Sequence, residues 1–187
     1  VVTVDKTVPA ANAGVDFTKS CTSNSNGAQI GVAPVAGVTY AWTPATGLSD
    51  ATIANPTANP SATTTYTLTA TNTASGCTAT DTVVVTLDNN VATANAGIDT
   101  TISCATNTNG AVIGMTAVAG VTYTWTPTTG LSDATVSNPT ATPTATTTYT
   151  LKATNTASGC IATDSVVVTV DFTAPTVDAG TDFTKTC

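Results

Sequence analysis

The feature that most constrains the fold of this chain is a sequence repeat of constant period. Cys21, Cys104 and Cys187 are each 83 positions apart (104 − 21 and 187 − 104). About 58 of the positions in 5–87 match their counterparts in 88–170, with no gap. Self-similarity at a fixed period is the signature of a tandem array in which each period is one structural unit.

The repeat frame predicts the organisation of the whole chain. Residues 5–87 and 88–170 form two complete repeats. Residues 1–4 match the end of a repeat and residues 171–187 match the beginning of one, so we expect them to be the tail of a preceding repeat and the head of a following one. No Pro/Ser/Gly tract separates the repeats, which predicts domains arranged end to end with little hinge motion.

The composition indicates an all-β protein. Only 8% of the residues are charged, and threonine makes up about a quarter of the chain. Threonine is β-branched and fits a pleated strand better than a helix. Residues that favour helices are scarce, with one Met, no Glu and no Arg in the chain.

The charge balance excludes several kinds of partner. The net charge is −7, from 11 aspartates and four lysines, and the pI is about 4.1. Nucleic-acid binding requires clustered Lys and Arg, so neither a nucleic acid nor an anionic membrane surface is expected as a partner. No run of apolar residues is long enough to span a membrane, and the first residues lack the pattern of a signal peptide, so we expect targeting signals outside this chain.

Within one repeat, short apolar or threonine-rich runs separated by turn signals predict about seven strands. Five of these strands are located in the first repeat, at residues 11–19, 28–35, 38–43, 64–71 and 77–87. Residues 51–60 contain two Asn-Pro steps and predict an irregular edge segment, because proline cannot donate to a ladder. Residues 72–76 predict a tight turn in which Gly76 supplies backbone freedom. The pattern predicts an immunoglobulin-like β-sandwich.

Alternation along these strands predicts the core. The expected core residues are Ile30, Trp42, Tyr66, Leu68, Val83 and Val85, together with Trp125 and Tyr149 of the second repeat. The alternative for the two tryptophans is stacking on sugar rings, but a tryptophan on the third strand of a sandwich is more often buried. A core of this size is only marginally stabilising, so an additional cross-link is expected.

The repeat also resembles a known family. The stretches ANAGVDFT and YAWTPATGLSDATIANPTANPSATTTYTLTATNTASGCTATDTVVVTL, with their counterparts in the second repeat, are similar to the PKD-like repeats of very large secreted surface proteins of Bacteroidota. Those proteins include adhesins of gliding motility. The resemblance implies a PKD/immunoglobulin-like fold, export to the bacterial cell surface by the type IX route, and a stalk or adhesive role. It brings no catalytic residues.

The cysteines predict disulfides. Each repeat has two, and the partner of Cys187 is expected beyond the chain. The chain has no His and no CxxC motif, so a metal site is not expected. Pairing within repeats gives Cys21–Cys77 and Cys104–Cys160, and pairing between repeats gives Cys77–Cys104 and Cys160–Cys187. We expect pairing within repeats, because Cys77 and Cys104 would lie far apart in an extended array and a disulfide needs Cα atoms within about 7 Å.

The aspartates and the hydroxyl side chains raise two other kinds of site. The aspartates are spaced too widely for a calcium site, and a turn or cap role is favoured for Asp50; the aspartates concerned are Asp16, Asp50 and Asp81 with their counterparts Asp99, Asp133 and Asp164. The short pattern Asp-Ser/Thr-hydrophobic resembles that of bacterial O-glycosylation and points to Thr82 and Ser165, with Thr100 as a looser match. No cofactor is expected.

The sequence indicates a structural protein rather than an enzyme. Without His or Glu, no arrangement for acid–base or nucleophilic catalysis is apparent. The first hypothesis is the repeat region of a cell-surface adhesin, a stalk or filament that projects a distal binding region and has neighbouring repeats as partners. The alternatives are a module that binds polysaccharide or another surface, and a subunit that assembles with copies of itself into a fibre.

Overall fold

The computed structural model describes residues 5–174, 176–178, 180, 182 and 184–185. The first six strands are β1 (Phe17–Ser20), β2 (Ala28–Gln29), β3 (Val38–Thr43), β4 (Thr57–Ala58), β5 (Thr64–Asn72) and β6 (Thr78–Asp88). The next six are β7 (Thr100–Ser103), β8 (Ala111–Val112), β9 (Val121–Thr126), β10 (Thr140–Ala141), β11 (Thr147–Asn155) and β12 (Ile161–Asp171). Every strand of the second set begins one full repeat period after its counterpart in the first.

Each set of six strands forms two sheets. In the first set, one sheet has the order β1-β6-β5-β3 and the other pairs β2 with β4. Strand β1 runs parallel to β6, with Phe17 opposite Val85, whereas β5 is antiparallel to both β6 and β3. The second set repeats this arrangement as β7-β12-β11-β9 and β10-β8. The prediction of an all-β, immunoglobulin-like sandwich is confirmed.

The core lies between the two sheets of each set. Along β5, Tyr66, Leu68 and Ala70 are buried while the intervening threonines are half-buried, because successive side chains of a strand point to opposite faces. Ala58 of β4 packs into the same cluster from the other sheet. All the predicted core residues are buried; in the first set they are Ile30, Trp42, Tyr66, Leu68, Val83 and Val85, and in the second Trp125 and Tyr149.

The structure corrects three of the strand predictions. Strand β3 has the predicted limits, but β1 begins six residues later than predicted (17 − 11) and β2 has two residues instead of eight (28–35). Six strands form per set, against about seven predicted. The early part of the first predicted strand makes other hydrogen bonds: Gly31 donates its N–H to the Ala13 carbonyl at 2.8 Å, and Ala13 donates to the Asp81 carboxylate. Glycines at 14 and 31 have φ of 92° and 75°, which interrupt an extended strand.

The chain groups into two compact units that do not follow the sequence repeat at every point. The first unit is Val1–Ala92 together with Thr154–Ile161, and the second is Thr93–Ala153 together with Ala162–Cys187. The turn between β11 and β12 therefore groups with the first unit. In the described part of the chain, no helix has the length and apolar character needed to cross a bilayer.

Candidate functional site

The turn between the last two strands is built by an asparagine. Asn155 accepts hydrogen bonds through Oδ1 from the N–H groups of Ala157 (2.9 Å) and Ser158 (3.2 Å). Its carbonyl accepts from Gly159, and its own N–H donates to the carbonyl of Cys160, both at 2.9 Å. A short polar side chain that bonds to its own backbone favours such a turn. We call residues 155–160 the second hairpin turn.

The same sequence builds the same turn one repeat earlier in the chain. Asn72 makes the equivalent bonds to Ala74, Ser75 and Gly76, at 2.9, 3.1 and 2.8 Å. The hydroxyl of Ser75 donates to the Thr7 carbonyl at 2.7 Å, and its counterpart Ser158 donates to the Asn90 carbonyl at 2.6 Å. We call residues 72–77 the first hairpin turn; Cys77 is its last residue, as Cys160 is the last residue of the second.

The other cysteine of each repeat lies in a loop directly after a parallel strand. Ser20, the last residue of β1, accepts through Oγ from the N–H groups of Thr22 (3.3 Å) and Ser23 (3.0 Å). Asn24 has φ of 50° and donates its side-chain amide to the Thr18 carbonyl at 3.0 Å. We call residues 20–24 the first strand-end loop; it holds Cys21 at an exposed position.

The second strand-end loop, residues 103–107, has the same hydrogen bonds. Ser103 Oγ accepts from Ala105 and Thr106 at 3.2 and 3.0 Å, and Asn107 donates to the Thr101 carbonyl at 2.8 Å. Cys104 is exposed in this loop. Both strand-end loops and both hairpin turns are therefore formed alike, whether or not their cysteines are bonded.

One disulfide joins a strand-end loop to a hairpin turn. Cys21 is bonded to Cys160, with 5.0 Å between the Cα atoms and a sequence separation of 139. Both residues belong to the first compact unit. The hydroxyl of Thr22, next to Cys21, donates to the Ser158 carbonyl at 3.4 Å. The junction therefore combines a covalent bond with a polar contact.

The bonded turn is more deeply buried than the free one. Ser158 and Cys160 are 0% and 1% exposed, whereas Ser75 and Cys77 are only half-buried. A Cβ added to Gly159 would collide with the Thr22 side chain, but one added to Gly76 would meet nothing within 4 Å. The strand-end loop thus covers the surface of the second hairpin turn that the first hairpin turn leaves open.

The predicted disulfide pairing was wrong. Neither Cys21–Cys77 nor Cys104–Cys160 forms; Cys21 bonds to Cys160, and Cys77 and Cys104 are free. The alternative pairings do not form either: Cys77 and Cys104 are both free, and Cys160, the proposed partner of Cys187, is already bonded to Cys21. Cys187 itself lies outside the described residues.

The physical reason is the parallel pairing of the first and last strands. Ser20 lies opposite Asp88, the last residue of β6, whereas Cys77 directly precedes the first residue of β6. The strand has 11 residues, which at roughly 3.3 Å each places Cys21 about 35 Å from Cys77. A disulfide bridges only about 7 Å between Cα atoms. Strand β12 separates Cys104 from Cys160 in the same way.

A pair of matched glycine substitutions tests the contact between loop and turn. Gly76 and Gly159 have φ of 71° and 70°, so alanine at either position strains the backbone by about 1–2 kcal/mol. Gly159→Ala also forces a methyl group into Thr22, which we expect to add about 1–3 kcal/mol. Urea denaturation of the two variants measures the difference. Equal destabilisation by both substitutions would show that Thr22 does not pack on the turn.

The tryptophans are buried and hydrogen-bonded. Trp42 is 3% and Trp125 0% exposed. Their indole N–H groups donate at 2.9 Å to the carbonyls of Ile53 and Val136. A ring enclosed in this way presents no face to a sugar.

The tyrosines also serve the fold. The buried Tyr66 and Tyr149 donate at 2.8 Å to the carbonyls of Thr46 and Thr129. Burial raises the pKa of both phenols. The hydroxyl of the half-buried Tyr40 accepts a hydrogen bond from the Val35 N–H at 2.8 Å.

The aspartates bind backbone amides rather than converging on one point. Asp81 accepts from the Ala13 N–H and Asp16 from the Val84 N–H, both at 2.8 Å, and these two bonds join the start of the sandwich to its last strand. Asp164 and Asp99 make the same bonds in the second set. Asp50 accepts from both the N–H and hydroxyl of Thr52. Among the described residues, no three His, Cys, Asp or Glu side chains are grouped as metal ligands.

Asp81 is expected to make stability depend on pH. The Ala13 N–H, and secondarily that of Thr82, lower the pKa of its carboxyl group below the usual value. A lowered pKa in the folded state adds stability that is fully present above the unfolded-state pKa of about 3.9 and is lost as pH falls through the folded value. Asp81→Asn should therefore shift the urea midpoint by a constant amount from pH 5 to 8, and by less below about pH 4. A difference that persists unchanged at pH 2 would contradict this role.

The predicted glycosylation sites lie on the sandwich surface. Thr82 of β6 and Ser165 of β12 are exposed, and Thr100 of β7 is half-buried. The Ser165 hydroxyl shares a 3.0 Å hydrogen bond with that of Thr150 on the neighbouring strand. Modification at these positions stays a prediction.

Sequence reasoning missed the residues that complete the junction. Thr22, Ser158 and Gly159 contact each other although no motif joins them. The repeated ATNTASGC stretch marks the hairpin turn, but the strand-end loop carries no comparable signal.

Known proteins are similar to this chain in fold and not in sequence. No family model and no curated protein sequence matches it. Among solved structures it is similar to domains EC1–3 of a mouse clustered protocadherin (12% identity, TM-score 0.44, covering 87% of this chain and 66% of that one). It is also similar to a titin I-band fragment, I67–I69 (11% identity, TM-score 0.43, 87% and 66%).

A third similar structure is a SusE-like, surface-located polysaccharide-binding protein from the Bacteroides thetaiotaomicron heparin utilisation locus (14% identity, TM-score 0.40, covering 84% of this chain). This chain spans 33% of that protein's length and 66% of the protocadherin's. At these identities the likeness concerns the β-sandwich fold alone.

Proposed function

We propose that this chain is part of the structural repeat region of an extracellular cell-surface adhesin, a stalk built from PKD-like repeats that projects a distal binding region. The observation that carries the proposal is the recurrence of every strand at the period of the sequence repeat. The recurring aspartates Asp81 and Asp164 bind backbone amides of their own sandwich. Similar units in series lengthen the molecule, and each added unit uses the same contacts as the units before it.

The strand arrangement suits a segment under tension. The first and last strands of a sandwich, β1 and β6, are neighbours and run parallel, from Phe17 opposite Val85 to Ser20 opposite Asp88. Tension that enters at the beginning of β1 and leaves at the end of β6 pulls the two strands along each other. The hydrogen bonds between them then resist together as a shear-loaded group and do not open one at a time.

The disulfide and the charge support a location outside the cytoplasm. Disulfides persist in oxidising compartments and are rare where thiols are kept reduced. The net charge of −7 favours solubility and repulsion between neighbouring copies. Both properties suit an exposed segment on a bacterial surface.

The alternatives receive less support. A polysaccharide-binding module usually presents aromatic faces, and the indole rings of Trp42 and Trp125 are buried. A fibre of laterally paired copies would use the outer strands β3 and β9, which lie at the edges of their sheets. Sedimentation over a hundredfold concentration range distinguishes the fibre from the stalk, since a stalk segment with its thiols blocked stays monomeric.

A series of chain lengths tests the stalk. Chains with two, four and eight copies of residues 88–170 are compared by small-angle X-ray scattering. For a stalk, the maximum dimension increases in proportion to the number of repeats. For a compact assembly, the radius of gyration increases only as about the 0.38 power of chain length, which would overturn the proposal.

A further inference from the structure

We propose that Cys77 and Cys104 each form a disulfide with an adjacent copy of the repeat, so that every repeat is covalently bonded to the next one. The proposal rests on the tandem array proposed above. It assigns the two cysteines that are free in the described part of the chain to one recurring junction, in which a strand-end loop of one repeat binds the hairpin turn of the following repeat.

The equivalence of positions carries the inference. Cys104 is 83 positions after Cys21, and Cys77 is 83 positions before Cys160 (104 − 21 and 160 − 77). The bonded pair, Cys21–Cys160, thus consists of a strand-end loop cysteine and the hairpin-turn cysteine of the next repeat. The free pair consists of the other loop and the other turn.

Cys104 and Cys77 lie in a loop and a turn that already have the hydrogen bonds of their bonded counterparts. The loop around Cys104 has the same serine and asparagine hydrogen bonds as the loop around Cys21. The turn that carries Cys77 has the same asparagine and serine bonds as the turn that carries Cys160. Neither the second strand-end loop nor the first hairpin turn therefore has to refold in order to bind.

The occupant of the open surface is identified by its bonded counterpart. At the first hairpin turn Ser75 and Cys77 are half-buried and Gly76 faces open space. At the second, the strand-end loop with Thr22 covers the equivalent residues. The surface at Gly76 thus fits a strand-end loop of this repeat sequence, with a small side chain beside its cysteine.

The observed separation gives the position of each partner. Adding 139 to 104 places the partner of Cys104 at position 243 of an extended chain. The partner of Cys77 lies 139 residues before it. An array therefore contains one fewer junction than it has repeats, and it keeps one free turn cysteine and one free loop cysteine at its two ends.

Formation of each bond requires an oxidant, which we take to be a small disulfide such as oxidised glutathione. The thiolate of one cysteine attacks this disulfide, forms a mixed disulfide and releases one glutathione thiol. The thiolate of the second cysteine then displaces the second glutathione. Two protein thiols have lost two electrons and two protons in total, and one glutathione disulfide has been reduced to two thiols.

Adding one hairpin turn to the chain tests the proposal. Both chains carry Cys187→Ser, and the longer one continues after position 187 with a second copy of residues 105–170, which places a turn cysteine at position 243. After reoxidation with glutathione, free cysteines are counted by alkylation and the bonds are mapped by mass spectrometry of unreduced peptides. We expect the number of free thiols to fall from two to one although a cysteine has been added, with Cys104 bonded to position 243.

Controls separate this proposal from the array on which it rests. In the longer chain, Cys104→Ser should leave position 243 as a free thiol and keep Cys21–Cys160. A longer chain that resists proteolysis along its whole length but keeps Cys104 free would overturn the junction and leave the array intact. An added repeat that is digested would overturn both, and a Cys77–Cys104 bond would overturn the junction.

Discussion

Replacing Cys21 by serine is expected to lower the free energy of unfolding by about 4–5 kcal/mol. The bond to Cys160 closes a loop with a sequence separation of 139. In the chain-entropy model, a loop of this size restricts the unfolded chain by about 5 kcal/mol. Cys21 is exposed, so the serine itself adds no unfavourable burial. Urea denaturation followed by tryptophan fluorescence measures the change.

The repeat supplies a matched control for this substitution. Cys104 occupies the same position of the second strand-end loop, is exposed and is unbonded. Cys104→Ser should therefore change the free energy of unfolding by no more than about 0.5 kcal/mol. Reduction of the wild-type protein should reproduce the Cys21→Ser value. If Cys104→Ser destabilised as much as Cys21→Ser, the bonded pair would have been misassigned.

Stretching a single molecule from its two ends should reveal the same bond, because the unfolded chain reaches a shorter full extension while the bond is intact. With Cys21 joined to Cys160, the stretch of chain between them, a separation of 139, cannot extend. At about 3.5 Å per residue, reduction should lengthen the fully unfolded chain by about 480 Å. Optical tweezers with handles attached through terminal peptide tags, rather than thiols, measure this increment directly.

The comparison with variants makes the stretching experiment specific. Cys160→Ser should extend to the full length without reductant, and Cys77→Ser should keep the short extension. Pairing within repeats would instead close two loops, Cys21–Cys77 and Cys104–Cys160, each with a separation of 56 (77 − 21 and 160 − 104). A gain of only about 380 Å on reduction would indicate that pairing and contradict the structure.

Local pattern was sufficient to predict most of the fold. Alternation identified β3, with Trp42 and Tyr40 on one face, and placed β5 and β6 to within a residue at each end. These strands are long, and their side-chain period of two is set by backbone geometry. The strand at β2 was predicted eight residues long instead of two, and β4 was predicted only as an irregular edge segment, because a pairing of two residues leaves no periodic signal.

The junction depended on information that a local pattern does not contain. The position of Cys21 follows from the parallel pairing of β1 with β6. The register of such a pairing is set by residues that are far apart in sequence. Cys21 would have lain beside Cys77 only if the end of β1 had paired with the first residues of β6. The two cysteines of a repeat were therefore correctly recognised as bond-forming residues and incorrectly paired.

The length of β6 also bears on the order in which we expect disulfides to form while the chain is being synthesised. Cys77 follows Cys21 within the same repeat, so its thiol is present long before that of Cys160. Once the first sandwich has folded, its 11-residue last strand holds the early thiol about 35 Å from Cys21. We therefore expect Cys21 to stay reduced until the second hairpin turn, which carries Cys160, has emerged.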